Sequence, residues 1–141
     1  MSVFTPTEIR YPSGQSLAWL ATASSDGQPD VAAVGLSLDV DDIVSGGLHL
    51  TGTVRYRHLV ANPRATIVID DLASTDPLTP RGIKVRGRAT LETVDGSLRI
   101  RIRPTTIWSW GINEGAPTRF AGVEKRDIPS DETHYRPPGI P

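Results

Sequence analysis

The chain contains no cysteine and no long apolar run. Without cysteine there can be no disulfide, thiolate zinc site, cysteine-ligated iron–sulfur cluster or cysteine nucleophile. No apolar run approaches the roughly 18 residues that a membrane-spanning helix needs, and no charged-then-apolar leader opens the chain. We therefore expect a cytoplasmic protein that makes no membrane contact.

Excess charge of one sign is also missing. Fifteen basic and sixteen acidic residues give a formal net charge of −1, so we expect no nucleic-acid partner. The distribution is uneven, because ten of the fifteen Lys and Arg residues lie between Arg55 and Arg103, against five acidic residues in that span. This local positive charge suits a small anion better than a nucleic-acid duplex.

The familiar catalytic and metal-binding motifs are absent as well. The three histidines, His49, His58 and His134, lack the spacing of a helical zinc site, so we predict no metal site. No serine lies in a nucleophile elbow, and the chain has neither a nucleotide-hydrolase phosphate loop nor a GxGxxG motif. Catalytic residues cannot be assigned, and any chemistry must come from a bound cofactor that acts on a small-molecule substrate.

The most informative stretch runs from Leu48 to Asp71, LHLTGTVRYRHLVANPRATIVIDD. It predicts a strand end, a turn with glycine, a short basic helix capped by Thr53 and ended by Asn62-Pro63, and a second strand. Unpaired amides at the helix start, together with Arg55 and Arg57, would make a pocket suited to phosphate. The alternative is a basic helix surface that water solvates.

Alternating polar and apolar residues predict a mainly β protein. We expect a capped helical turn within residues 1–16 and a tail that is irregular from residue 113. The predicted strands are residues 17–24, 30–38, 43–45, 48–51, 65–69, 83–91, 98–103 and 107–112, with 72–81 as a loop. The strand from Asp30 to Leu38 presents one face of small residues, which would let a ligand approach the backbone.

Two predicted strands have basic outer faces, Lys84, Arg86 and Arg88 on one and Arg99, Arg101 and Arg103 on the other. Direct pairing would place like charges opposite each other, at a cost of up to about 1 kcal/mol per pair. Acidic groups should therefore cover them. The alternatives are a solvated face that prevents aggregation, a dimer contact, or a surface approached by cofactor.

The two Asp-Gly turns, the basic helix ending in Asn62-Pro63 and the run ATIVIDDL resemble the pyridoxamine 5′-phosphate oxidase-like split-barrel family. The closest likeness is to its actinobacterial branch of deazaflavin-dependent (coenzyme F420) enzymes. This resemblance implies an FMN-binding type of split β-barrel with a few short helices. It also implies a homodimer that holds coenzyme F420, or alternatively FMN, between its subunits. The barrel domain would span residues 1–112 and the tail residues 113–141.

The resemblance also assigns site residues. Thr51, Thr53, Arg55 and Arg57 match the family's phosphate-contacting positions, and Val34 matches the strand on whose backbone the cofactor ring lies. Arg55 departs from the lysine common in the family but keeps the charge. The implied function is hydride transfer to a small unsaturated or carbonyl-type substrate. Alternatives are an FMN-dependent oxidase or reductase and a non-catalytic flavin- or haem-binding barrel.

Overall fold

The computed structural model describes residues 2–15, 17–113 and 122–129. Within these ranges the chain forms one eight-stranded sheet, two α-helices and a 3₁₀ turn at Leu50–Gly52. The helices are α1 (Pro6–Ser13) and α2 (Val54–Ala61). The strands are β1 (Ala18–Ala23), β2 (Pro29–Val34), β3 (Ser37–Asp39), β4 (Asp42–Ser45), β5 (Arg64–Thr75), β6 (Leu78–Val94), β7 (Ser97–Trp110) and β8 (Glu124–Asp127).

The sheet is antiparallel at every described pairing, in the order β2-β1-β5-β6-β7-β4-β3. Strand β8 pairs with the second half of β7, while β4 pairs with its first half. The predicted mainly β class is confirmed. No helix in the described ranges is long and apolar enough to cross a membrane.

Side chains from alternate strand positions fill one core. On β6 the inward positions Ile83, Val85 and Ala89 are buried, whereas Arg86 and Arg88 point to solvent, as the alternation predicts. The most completely buried large side chains come from five strands and are Leu20, Ile43, Ile67, Ile83, Ile100, Ile102 and Ile107. The sequence pattern of these central strands is thus confirmed by burial.

Helix α1 begins as predicted. Thr5 caps it through a capping box, in which the Glu8 amide donates to Thr5 Oγ1 and Glu8 Oε1 accepts from the Thr5 amide. The Glu8 side chain is buried and also lies 2.7 Å from Arg126 Nη2. Because Arg126 lies on β8, this ion pair joins the first helix to the last described strand.

Four predictions of where strands begin, end or are absent were wrong. The expected strand 30–38 is broken after Val34, so β2 and β3 lie at opposite ends of the sheet order. The expected strand 48–51 is instead a turn, in which His49 has φ +56° and precedes the 3₁₀ turn. Residues 98–103 and 107–112 belong largely to one strand, β7, which is continuous through Pro104.

The fourth error concerns residues 72–81, which were predicted as a loop but form the end of the long β5–β6 hairpin. Prolines normally interrupt strands, but Pro77 lies between the two strands and Pro80 lies opposite Leu72, beside a register shift where a ladder hydrogen bond is already lost. In the predicted irregular tail, Glu124–Asp127 forms strand β8. Residues 114–121 and 130–141 lie outside the described residues, and the domain boundary at 112 stays a prediction.

The expectation that acidic groups cover the two basic strands is confirmed for β7, whose Arg99, Arg101 and Arg103 each contact a carboxylate. It is wrong for β6, whose Lys84, Arg86 and Arg88 form no ion pair within the described residues. Arg88 does pair directly with Arg103. Arg101 Nη2 lies 2.7 Å from Asp39 Oδ2, and its guanidinium also contacts Glu92 at 3.1 Å and Asp42 at 3.1 Å. The Arg101 guanidinium, followed by that of Arg99, holds the pKa of the Glu92 carboxyl below its ordinary value.

Replacing Glu92 with glutamine should lower the free energy of unfolding at pH 7 by about 1 kcal/mol, because the variant loses a partly exposed ion-pair network. The folded-state pKa of Glu92 lies below its unfolded value, so its stabilisation is present above about pH 4.5 and is lost as pH falls through the folded pKa. Urea unfolding of both proteins from pH 7 to pH 3 measures this difference.

Asp30→Asn is the matched control, because Asp30 makes no ion pair within the described residues. Its effect should stay within about 0.5 kcal/mol. A Glu92→Gln difference that stays the same at pH 3 would show that the stabilisation does not come from the ionised carboxylate.

Candidate cofactor-binding site

Helix α2 is fixed to the sheet at several points. Leu59 is buried in the core, and His58 Nδ1 lies 3.0 Å from the hydroxyl of buried Thr22 on β1. At the helix end, Asn62 Nδ2 donates to Ser24 O at 3.4 Å, and Pro63 O accepts from the Ala89 amide at 2.8 Å. The start of the helix is therefore held in one place relative to the barrel.

The helix start has the predicted cap. The Tyr56 amide donates to Thr53 Oγ1 at 3.2 Å, and the Thr53 hydroxyl donates to Leu50 O at 2.6 Å. This arrangement joins the 3₁₀ turn to α2. The remaining first-turn amides lack intrahelical acceptors and carry the positive end of the helix dipole.

Arg55, in the first turn of α2, is the unusual residue of this region. Its Nε is buried and has no hydrogen-bond partner. Its Nη2 lies so close to Gly47 that a Cβ there would come within 2.8 Å of it. Buried polar groups nearly always have partners, and an unpaired one costs about 1–3 kcal/mol, more for a charged group. An anion bound between Arg55 and the helix start would supply the missing acceptor.

The other predicted phosphate residues differ in burial. Thr51 and Arg57 are exposed, whereas Thr53 is half-buried because it caps the helix. Arg57 is two residues beyond Arg55 and therefore points about 160° away around an ideal helix. The structure thus gathers Thr53 and Arg55 at one helix start and leaves Arg57 at its surface.

Val34 lies at the end of β2 and is buried as a whole residue, so it presents neither its side chain nor its backbone to a ring. The next residue, Gly35, is exposed, and its carbonyl accepts from Ser45 Oγ at 2.7 Å. Two residues after Ser45, Gly47 meets the Arg55 side chain. The end of β4 therefore links the Val34 region to the predicted phosphate pocket.

Gly47 and Ser45 were not predicted as site residues. The pair Gly46-Gly47 suggested a bulge, and nothing local indicates that Arg55 folds back against it. Gly47 leaves room for the Arg55 side chain, but this role can be recognised only when the path of the chain through residues 46–52 is known.

Two side chains of α2 with exchangeable protons make structural contacts. His58 is paired with Thr22, and Tyr56 packs against the core. In the described residues no group of three or more His, Asp or Glu side chains could hold a metal ion. His134 lies outside the described residues.

A family model described as pyridoxamine 5′-phosphate oxidase matches residues 7–110. The chain belongs to this family. The match spans both helices and strands β1 to β7, so it includes Val34, the turn at Gly47 and the start of α2. The predicted family resemblance is thereby confirmed.

Members of the pyridoxamine 5′-phosphate oxidase family and proteins of the same fold differ in what they bind. A 5a,11a-dehydrotetracycline/5a,11a-dehydrooxytetracycline reductase from Streptomyces rimosus is 30% identical, over 92% of this chain and 96% of the relative. A solved F420 reductase superposes with a TM-score of 0.52 at 21% identity, covering 65% of this chain and 88% of that one. A solved haem-binding protein from Mycobacterium smegmatis superposes with a TM-score of 0.66 at 17% identity, covering 89% of this chain and 59% of that one. The two structures show the fold alone.

Proposed function

We propose that the protein is an oxidoreductase that binds coenzyme F420 and transfers hydride to a small organic substrate with an unsaturated or carbonyl group. The alternative within the same family is an FMN-dependent oxidase or reductase. The reductase from Streptomyces, which matches almost the whole chain, supports the oxidoreductase assignment. The solved F420 reductase of the same fold supports the choice of cofactor.

The observation that carries this proposal is the buried, unpaired Nε of Arg55 beside Gly47. Both F420 and FMN carry a phosphate group, which the planar guanidinium fits with two parallel hydrogen bonds. Haem carries two propionate carboxylates, which an arginine also binds, so Arg55 alone does not distinguish a flavin-type cofactor from haem. The reductase from Streptomyces is what favours an oxidoreductase over a haem carrier.

The bound cofactor would supply a two-electron hydride donor or acceptor. Arg55 and the free first-turn amides of α2 would hold its phosphate, with Thr51 at the edge of the pocket. Thr53, which donates to Leu50 O, would position the helix start, and Arg57, which points away from Arg55, would add its charge. The exposed backbone at Gly35, next to Val34, would orient the ring, because no side chain larger than hydrogen intervenes there. Because α2 is attached to β1 and β6, the phosphate contact and the ring contact would keep a fixed distance from each other.

Equilibrium titration of the purified protein with F420, FMN and haem tests the proposal. Fluorescence follows the first two ligands and the Soret band follows haem. Tighter binding of F420 supports the proposal, and tighter binding of FMN favours the alternative. Haem binding in preference to both would reject an oxidoreductase of this type.

We also propose that the protein is a homodimer whose subunits contact each other through the outward face of β1 and β2. Three large apolar side chains are exposed there, Leu17 at 58%, Trp19 at 49% and Val31 at 61%. Trp19 lies between Ala33 on β2 and Val68 on β5 in the strand register, so the apolar face is continuous across three strands. A second copy of the same face matches this apolar surface, as a two-fold dimer requires.

Replacing Trp19 with glutamate should convert the dimer to a monomer, because a charge at the centre of an apolar interface would lose its hydration. Light scattering after size-exclusion chromatography measures the mass. Leu78→Glu is the control, since Leu78 is as exposed but lies at the far end of the β5–β6 hairpin. A wild-type monomer, or a Trp19→Glu dimer, would reject this interface.

A further inference from the structure

The outward face of the sheet also carries a group of cations around one indole ring. Lys84 Nζ lies 4.2 Å from the centroid of the Trp108 ring, Arg86 Cζ 5.0 Å and Lys125 Nζ 5.9 Å. These residues come from three adjacent strands, with Trp108 opposite both Lys84 and Lys125 in the register. We call Lys84, Arg86, Trp108 and Lys125 the Trp108 cluster.

The three cations have no carboxylate partner in the part of the chain that the structure describes. This contrasts with Arg101, which contacts three carboxylates in the same sheet. One acid, Asp127, lies on the same face of β8, but its carboxylate accepts from Thr106 Oγ1 at 3.0 Å and pairs with none of the three. The cluster therefore keeps its positive charge.

The indole holds these side chains in place. Cations are attracted to the face of a tryptophan ring within about 6 Å, and this attraction restricts side chains that would otherwise move freely. Fixed cations lose less side-chain entropy when they bind a ligand.

We propose that the Trp108 cluster binds a small anion with two or more phosphate or carboxylate groups. Such a ligand places oxygens against several fixed cations at once and relieves their mutual repulsion. The cluster shares no residue with the pocket at Arg55, because it lies on β6, β7 and β8 whereas Arg55 lies on α2. Phosphate and carboxylate ligands share this chemistry and must be separated by experiment.

Isothermal titration calorimetry of the full-length protein with pyrophosphate and with tricarballylate, at fixed ionic strength, tests the proposal. At least one of them should bind, and the tighter one identifies phosphate or carboxylate as the preferred group. Arg86→Gln should weaken that binding about tenfold, as expected for one lost charge-assisted hydrogen bond. Arg88→Gln should change it less than about twofold, although it removes the same charge from the same face of β6.

Two further variants test the role of the indole and the independence of the two sites. Trp108→Leu removes no charge, yet it should weaken binding about fivefold because the cations lose their restraint. Because pyrophosphate also suits the pocket at Arg55, the titrations are repeated in an Arg55→Gln background, in which the binding that Arg86→Gln weakens should remain. The proposal is overturned if neither anion binds, if Arg86→Gln and Arg88→Gln weaken binding equally, or if Arg55→Gln abolishes it.

Discussion

Replacing Arg55 with methionine should weaken the binding of coenzyme F420 by about 10- to 100-fold. A hydrogen bond to a charged group contributes about 1.5–3 kcal/mol, and 1.4 kcal/mol corresponds to a factor of ten in affinity. Methionine keeps much of the aliphatic packing of the arginine side chain and removes only the guanidinium. Fluorescence titration of the variant and the wild type gives the ratio directly.

The same substitution should leave the protein without cofactor as stable as the wild type, or about 1 kcal/mol more stable. The Arg55 Nε is already buried without a partner, so its removal takes away an unfavourable group. Arg57→Met is the matched control, because it removes the same group from an exposed position of the same helix. Its effect on affinity should stay below about fivefold. Equal losses in the two variants would show that the pocket responds only to general positive charge.

Replacing Gly87 with alanine should lower the free energy of unfolding by about 3 kcal/mol, at the upper end of the range for overpacked sites. A Cβ at Gly87 would lie 2.3 Å from the carbonyl oxygen of Arg103 and 2.8 Å from Ile102 Cγ2. The first of these is a backbone atom of the neighbouring strand and cannot turn aside. Here β6 passes the bulge in β7, where the register shifts between Arg86 and Gly87.

Chemical denaturation measures this change, with Gly35→Ala as the control. A Cβ at Gly35 meets nothing within 4 Å, so the control should change stability by less than about 1 kcal/mol. If Gly87→Ala were as stable as the control, β6 and β7 could not approach each other this closely at the bulge.

The local parts of the site could be predicted from the sequence. Thr53 as a cap and Asn62-Pro63 as a stop are short-range signals, and they place α2 within a residue of its observed bounds. The acidic cover over the arginines of β7 followed from the repulsion expected between paired basic strands, although β6 proved to lack such cover within the described residues. Both predictions use forces that act between residues close in the chain or in register.

The rest depends on contacts between residues distant in the chain. Nothing near Gly47 in the sequence indicates that Arg55 would fold back against it. The prolines within residues 72–81 predicted a loop, whereas the structure places one of them in the hairpin turn and one beside a register shift. The division of residues 30–38 between two ends of the sheet is also a property of topology. A pattern of alternation identifies faces but does not tell which strands become neighbours.

The most direct test of the central claim is a crystal structure of the protein with coenzyme F420 bound. We expect a phosphate oxygen within hydrogen-bond distance of Arg55 Nε and of the first-turn amides of α2, with the ring against the backbone at Gly35, next to Val34. A phosphate bound elsewhere, with Arg55 Nε still unpaired beside Gly47, would contradict the assignment of this pocket.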